Sequence, residues 1–232
     1  YADAEIEEMV DYNLFSEDGH ILGAYMKTKK KNPLPIKTYQ ELESDPLEAL
    51  LNPLAGVQQP DAAAAVQYVI RPTPSKWRKK GQKIVRSVKD GEKFEKALGR
   101  SKMDKFFEKI SDIFGELFNQ IMKSQEDRKQ QRQDEDNYQP SSKEQEMLEN
   151  IEEKISKGGL ELTLRVISSA QTEETARNNL DNILNAYGQY NYYKFGNSFE
   201  AYVPKKQKKV IQDYIYRKFK DKRSFITNTE EM

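Results

Sequence analysis

Between Arg71 and Lys89 the chain carries Arg71, Lys76, Arg78, Lys79, Lys80, Lys83, Arg86 and Lys89 and no acidic residue. Cations at that density suit the phosphate oxygens of lipid or nucleic acid, where each neutralised phosphate releases counterions. Trp77, Ile84, Val85 and Val88 share one stripe at helical spacing, so the segment reads equally as a helix packed on a sheet with a solvated charged face. A second cluster, Lys205, Lys206, Lys208 and Lys209, opens another helical pattern. Cations at a helix start oppose the dipole, a local cost that favours a use for them. The candidate polyanion contacts are therefore Lys76, Arg78, Lys79, Lys80, Lys83, Lys205, Lys206, Lys208 and Lys209.

Residues for catalysis are scarce. The chain has no Cys and a single His, His20, which removes thiolate metal sites, Cys nucleophiles and His-rich zinc sites. GxxxxGK[ST] does not occur, Gly91 to Ser101 (GEKFEKALGRS) has the wrong spacing for it, and neither GxSxG nor HExxH is present. No carboxylate pair lies in an apolar stretch that would raise a pKa for general acid work. The expectation is a chain without catalytic residues, cofactor or metal. Tyr190, Tyr192, Tyr193, Phe195, Phe199 and Tyr202 invite comparison with RNA-recognition modules that stack bases on sheet aromatics. KFGNSFEAY does not match their characteristic run, so sheet packing is the expectation, with Gly196-Asn197 as a hairpin turn and His20 as a loop residue.

The elements that position these groups follow from charge and periodicity. Thirty-eight Lys and Arg balance 38 Asp and Glu, so polyanion binding must come from local patches. Asp3, Glu5, Glu7, Glu8, Asp11, Glu17 and Asp18 form an acidic start, whereas Gln125 to Gln145 is almost free of apolar residues and reads as a solvated linker. No window of about 18 apolar residues is present to span a bilayer. The chain opens on Tyr1 without a signal-peptide pattern, so it is expected to be an excised piece of a longer protein, and the absence of Cys with a single His argues for a reducing compartment.

After the linker, Met147, Leu148, Ile151 and Ile155 predict a helix stopped by Gly158-Gly159. Leu160, Leu162, Leu164 and Val166 alternate with Glu161, Thr163 and Arg165, predicting a strand with one buried face. Thr172 caps a helix with the stripe Ala176, Leu180, Ile183, Leu184 and Tyr187. A hairpin around Gly196-Asn197, a helix from about Lys205 to Phe219 and a strand from Ser224 to Asn228 complete the order strand, helix, strand, strand, helix, strand. That is the split βαβ order of a ferredoxin-like α+β sandwich. The first half partly repeats it, with a hairpin of Ala4 to Tyr12 and Ile21 to Lys29, a helix near Tyr39 to Leu51, a strand Ala64 to Arg71 and a helix Lys76 to Lys89. The expected organisation is a tandem of ferredoxin-like units: a truncated one at 1–92, an amphipathic helix and charged linker at 93–142, and a second unit at 143–232.

Met103 to Met122 is the most periodic stretch, with Phe106, Phe107, Ile110, Phe114, Leu117, Phe118 and Ile121 as a candidate docking face. It reads as core, as an interfacial membrane helix or as a docking face for another chain. Three runs then point to a family: YADAEIEEMVDYN at the start, AAAVQYVIRPTPSKW in the middle, and LRVISSAQTEETARNNLDNILNAYGQYN with the closing FITNTEEM. Together they resemble the region ahead of the ATPase module in bacterial type IV secretion and conjugation ATPases of small-genome bacteria. The resemblance implies a non-catalytic region that positions a motor through protein contacts or self-association at the cytoplasmic face of the membrane, with the Walker motifs downstream in the parent protein. A membrane surface is a further partner, and a nucleic-acid-binding α+β module using the basic helices is the alternative.

Overall fold

The computed structural model describes residues 15, 18–30, 33–42, 45–59, 61–99, 138–192 and 196–231. Its elements are β1 (His20–Thr28), a 3-10 turn (Tyr39–Glu41), α1 (Pro46–Ala55), β2 (Ala63–Pro72), α2 (Lys76–Lys89), α3 (Phe94–Ala97), α4 (Ser142–Ser156), β3 (Leu160–Ala170), α5 (Glu173–Ala186), β4 (Phe199–Tyr202), α6 (Gln207–Ile215) and β5 (Phe225–Thr227). Local chemistry sets the helix starts. Asp45 accepts the Leu47 amide at 2.8 Å ahead of Pro46, Thr172 accepts the Thr175 amide at 3.1 Å, and Ser141 with Glu144 forms a capping box before α4. The helix expected near Tyr39 to Leu51 is split into the 3-10 turn and α1 because the residue before a proline is biased away from helical backbone.

The architecture is α+β, as the sequence predicts: helices on one antiparallel sheet of order β2-β3-β1-β4, with β5 also on β3. β1 pairs with β3 from His20↔Ala170 to Met26↔Leu164, and β2 pairs with β3 from Ala63↔Ser169 to Pro72↔Leu160. β3 therefore lies between the ends of a β1-α1-β2 unit, while β1 lies between the ends of β3-α5-β4. That is the split βαβ order, and among the described residues the strands on both sides of segment 93–142 share a single sheet. β3 has eleven residues, and the other strands after it, β4 with four and β5 with three, are too short to flank it. The long neighbours it needs are β1 and β2. The expected first strand, Ala4 to Tyr12, lies outside the described residues.

One face of the sheet carries Leu22, Ala24, Met26, Leu162, Leu164 and Val166 against Leu180 and Ile183 of α5, with Leu50 and Leu54 of α1 packed alongside. β3 is not the one-faced strand its alternation predicts, since Thr163 and Arg165 are fully buried on the other face. α6 covers them, with Val210 packed on Tyr25 and Ile167. Gly23 makes that approach possible, because a Cβ there would lie 2.5 Å from Ile167 Cδ1 and 2.9 Å from Val210 Cγ1. Gly23→Ala is expected to cost about 1–3 kcal/mol by overpacking, read as a lowered denaturant midpoint with an unchanged slope.

Among the described residues the stretch before Gly196-Asn197 holds a 3-10 turn at Tyr187–Tyr190 rather than the opening of the expected hairpin. β4 instead pairs with β1, from Tyr25↔Tyr202 to Thr28↔Phe199. Asn197 is fully buried and works as a clamp, its Oδ1 accepting the Lys30 and Ser198 amides and its Nδ2 donating to the Lys30 carbonyl. A second, smaller core joins Ile84, Val85 and Val88 of α2 to Met147, Leu148 and Ile151 of α4, with Leu34 and Phe94. All of α2, α3 and α4 belongs to the connection between β2 and β3, where an antiparallel pair needs only a short turn. Among the described residues no helix is long and apolar enough to cross a membrane.

Candidate functional site

α2 divides as its pattern predicts. Trp77, Gly81, Ile84, Val85 and Val88 are buried, and Lys76, Lys79, Lys80, Lys83 and Arg86 are exposed. Three of its cations have partners: Arg78 donates to the Lys157 carbonyl at 2.6 Å, and at the surface Lys89 pairs with Glu152 at 2.5 Å and Arg86 lies 3.7 Å from Asp90. Arg78 is thus a positioning group more than a contact, and the outward cationic face is carried by its lysines. Arg71 is also engaged, bonded to Glu161 and Asp221 and stacked 3.8 Å from the Phe219 ring centroid.

Lys205, Lys206, Lys208 and Lys209 are likewise exposed, flanking Gln207 where α6 begins. Gln207 anchors that end by accepting the Gly23 amide at 2.8 Å. The two clusters are not one patch. Trp77 packs on Gly159 just before β3, whereas Gln207 meets Gly23, which lies opposite Ile167, so roughly 26 Å of strand separates them at 3.3 Å per residue. The docking-face residues Phe106, Phe107, Ile110, Phe114, Leu117, Phe118 and Ile121 lie outside the described residues. Their place in the chain is the same β2–β3 connection that holds α2.

Of these aromatic residues, Tyr190 and Phe199 pack in the sheet core. Phe199 meets Tyr187, Tyr190 and Phe225 edge-on at 5.6, 6.2 and 5.3 Å, and burial pushes the Tyr190 hydroxyl up to about 12. Tyr202 is exposed, with the Arg223 guanidinium 3.6 Å over its ring. Tyr193 and Phe195 lie outside the described residues.

A polar cleft of about 120 Å³ was not legible in the sequence. It opens between the 35–41 segment, α4 and residues 228–231, with Glu41, Asn150, Glu153, Lys154, Tyr192 and Glu231 among its walls. Lys154 and Glu231 pair at 2.8 Å with side chains only 4% and 1% exposed. Glu231 also accepts the Ile36 amide at 3.0 Å and the Asn228 amide at 3.2 Å. Burial holds its carboxyl above the usual range even though Lys154 and these amides pull it down. At the rim Tyr192 donates to Glu41 and accepts from Asn150 at 3.1 Å; burial first, and the carboxylate second, hold its hydroxyl well above the tyrosine range. Lys157 bridges Glu153 and Glu230. These charges are spent on one another, so the cleft acts as a clamp joining the closing residues to α4 and the 35–41 segment. Lys154 falls three residues after Ile151 on the buried stripe, the one sequence signal that marks it; nothing in the sequence marks Glu231. Among the described residues no group of three or more acidic or imidazole side chains is placed to hold a metal.

The chain belongs to the family described as a domain of unknown function, DUF8128, which matches residues 1–232. No curated protein and no solved structure matches it.

Proposed function

We propose that this DUF8128 domain is a non-catalytic interaction module that positions a larger parent protein through protein contacts. The observation that carries the reading is the β2–β3 connection. A split βαβ sheet needs only a turn there, yet the chain inserts the cationic helix α2, the Phe-rich stretch Met103 to Met122 and α4. Insertions of that length are tolerated on a rigid scaffold and commonly carry its function. The resemblance to the region ahead of the motor in type IV secretion and conjugation ATPases adds a setting, the cytoplasmic face of the membrane, reached through the parent. In that reading the Phe-rich stretch supplies apolar contact area and the lysines of α2 select an acidic surface.

The test uses the whole chain. Changing Phe107, Phe114 and Phe118 together to Ser is expected to leave the thermal midpoint nearly unchanged and to abolish self-association in sedimentation velocity. Unfolding of this variant would make the stretch core and overturn the docking reading. A gel shift with duplex and single-stranded nucleic acid separates the alternative module. Tight binding that collapses with added salt and is lost on Lys76, Lys79 and Lys83→Glu would favour nucleic acid.

A further inference from the structure

We propose that the outer edge of β2 is a pairing surface for β2 of a second copy of this chain, joining the two sheets antiparallel about a two-fold axis at Val66. β2 is the end strand of the sheet and pairs with β3 alone, in one unbroken register from Ala63↔Ser169 to Pro72↔Leu160. Among the described residues no backbone hydrogen bond outside that ladder reaches Ala63 to Pro72. A free edge of this length is a template for another strand, and proteins commonly blunt such edges with a bulge, a Pro or a Lys along them. β2 carries none of these before its last residue. Ala62 to Ile70 has no charge and no Pro, the constant register leaves no bulge, and the Gln67 side chain is turned to Arg165 and the Tyr214 carbonyl.

The second copy is the occupant because this strand, reversed, is complementary to itself. Ala62 to Ala65 are all small, whereas Tyr68, Val69 and Ile70 are bulky. With Val66 opposite its own copy, Ala64 faces Tyr68, Ala63 faces Val69 and Ala62 faces Ile70, so each bulky side chain meets a small one across the pair. Tyr68 and Ile70 are 42% and 43% exposed in the single chain, an apolar surface that this contact covers. The same register sets Asp61 opposite Arg71, a pair of opposite sign at each end that fixes the alignment. A contact of this kind is isologous, so every pairing occurs twice. One strand pair is small for a stable interface, so the inference rests on the interaction-module reading: the Phe-rich stretch, on the connection that leaves β2, supplies apolar area while the edge sets the geometry.

Disulfide cross-linking of the whole chain tests the register, and because the sequence has no Cys each introduced thiol is unique. Residues directly opposite in an antiparallel pair have Cα atoms about 4.5–5.5 Å apart, within reach of a disulfide. Val66→Cys is expected to form a covalent dimer under diamide. An equimolar mixture of Ala63→Cys and Val69→Cys is expected to form a mixed dimer that neither forms alone, since each of these positions lies roughly 20 Å along the strands from its own copy. The mixture also carries the test should Val66→Cys fail to fold. Linkage of Ile70→Cys equal to that of Val66→Cys marks random collision and overturns the proposal. Absence of both links while the wild type self-associates in sedimentation velocity overturns it too, and leaves the Phe107, Phe114 and Phe118→Ser variant to decide the interaction-module reading separately. A wild type that stays monomeric at every concentration overturns both.

Discussion

Replacing Trp77 with Ala is expected to destabilise the domain by about 3–5 kcal/mol, the range for emptying a buried Trp site. Trp77 is the residue that seats the cationic helix on the sheet. Its indole lies so close to Gly159 that a Cβ there would meet Cζ2 at 2.6 Å and the Thr73 methyl at 2.7 Å. Arg78 holds its guanidinium 5.8 Å from the Trp77 ring centroid and bonds the Lys157 carbonyl, fixing the first turn of α2 to the end of α4. Loss of the indole leaves a void at the junction of β2, α2 and β3 that these polar contacts cannot fill. The effect is read as a lower denaturant midpoint, with α2 amides exchanging before those of β1 and β3. Trp77 is also the sole Trp of the chain, so its emission in the wild type reports the seating of α2 directly.

Lys154→Met is expected to destabilise the domain by about 3–5 kcal/mol at neutral pH, because it leaves the Glu231 carboxylate buried without its cation. The sign of the pH dependence follows from the direction of the shift. Glu231 is already raised by burial, and removing Lys154 raises it further. A carboxyl with a folded-state pKa above its unfolded value contributes stability that is fully present below the unfolded value and lost as pH rises through the folded one. The variant should therefore recover on mild acidification and weaken towards neutral pH. Adding Glu231→Gln to it should restore part of the stability at neutral pH, since the side-chain amide carries no charge and its oxygen can still accept one of the two backbone amides that Glu231 holds. Chemical denaturation of the two variants across this pH range checks both statements.

The sequence made β3, α5 and α2 legible because each has a strong period or cap: Leu160 to Val166 alternates, Thr172 precedes a clean stripe, and Trp77 to Val88 segregates apolar from cationic residues. It did not reveal that Arg165 is buried. Alternation says which residues share a face, and only the later helix α6 decides that both faces are covered. Counting strands in order likewise could not show that β1 and β2 complete the sheet around β3, because pairing across the β2–β3 connection depends on strand length and burial rather than on sequence distance. The buried pair Lys154–Glu231 escaped for a related reason: its partners are distant in the chain, and charged residues on a helix are normally solvated.

The claim that the β2–β3 connection carries the contact element is tested most directly by hydrogen exchange of the whole chain over a range of protein concentrations. The account predicts that amides of 103–122 gain protection as concentration rises, while those of β1 and β3 stay constant. Protection of 103–122 as strong as that of β3 at the lowest concentration would show the stretch to be part of the core and would contradict it.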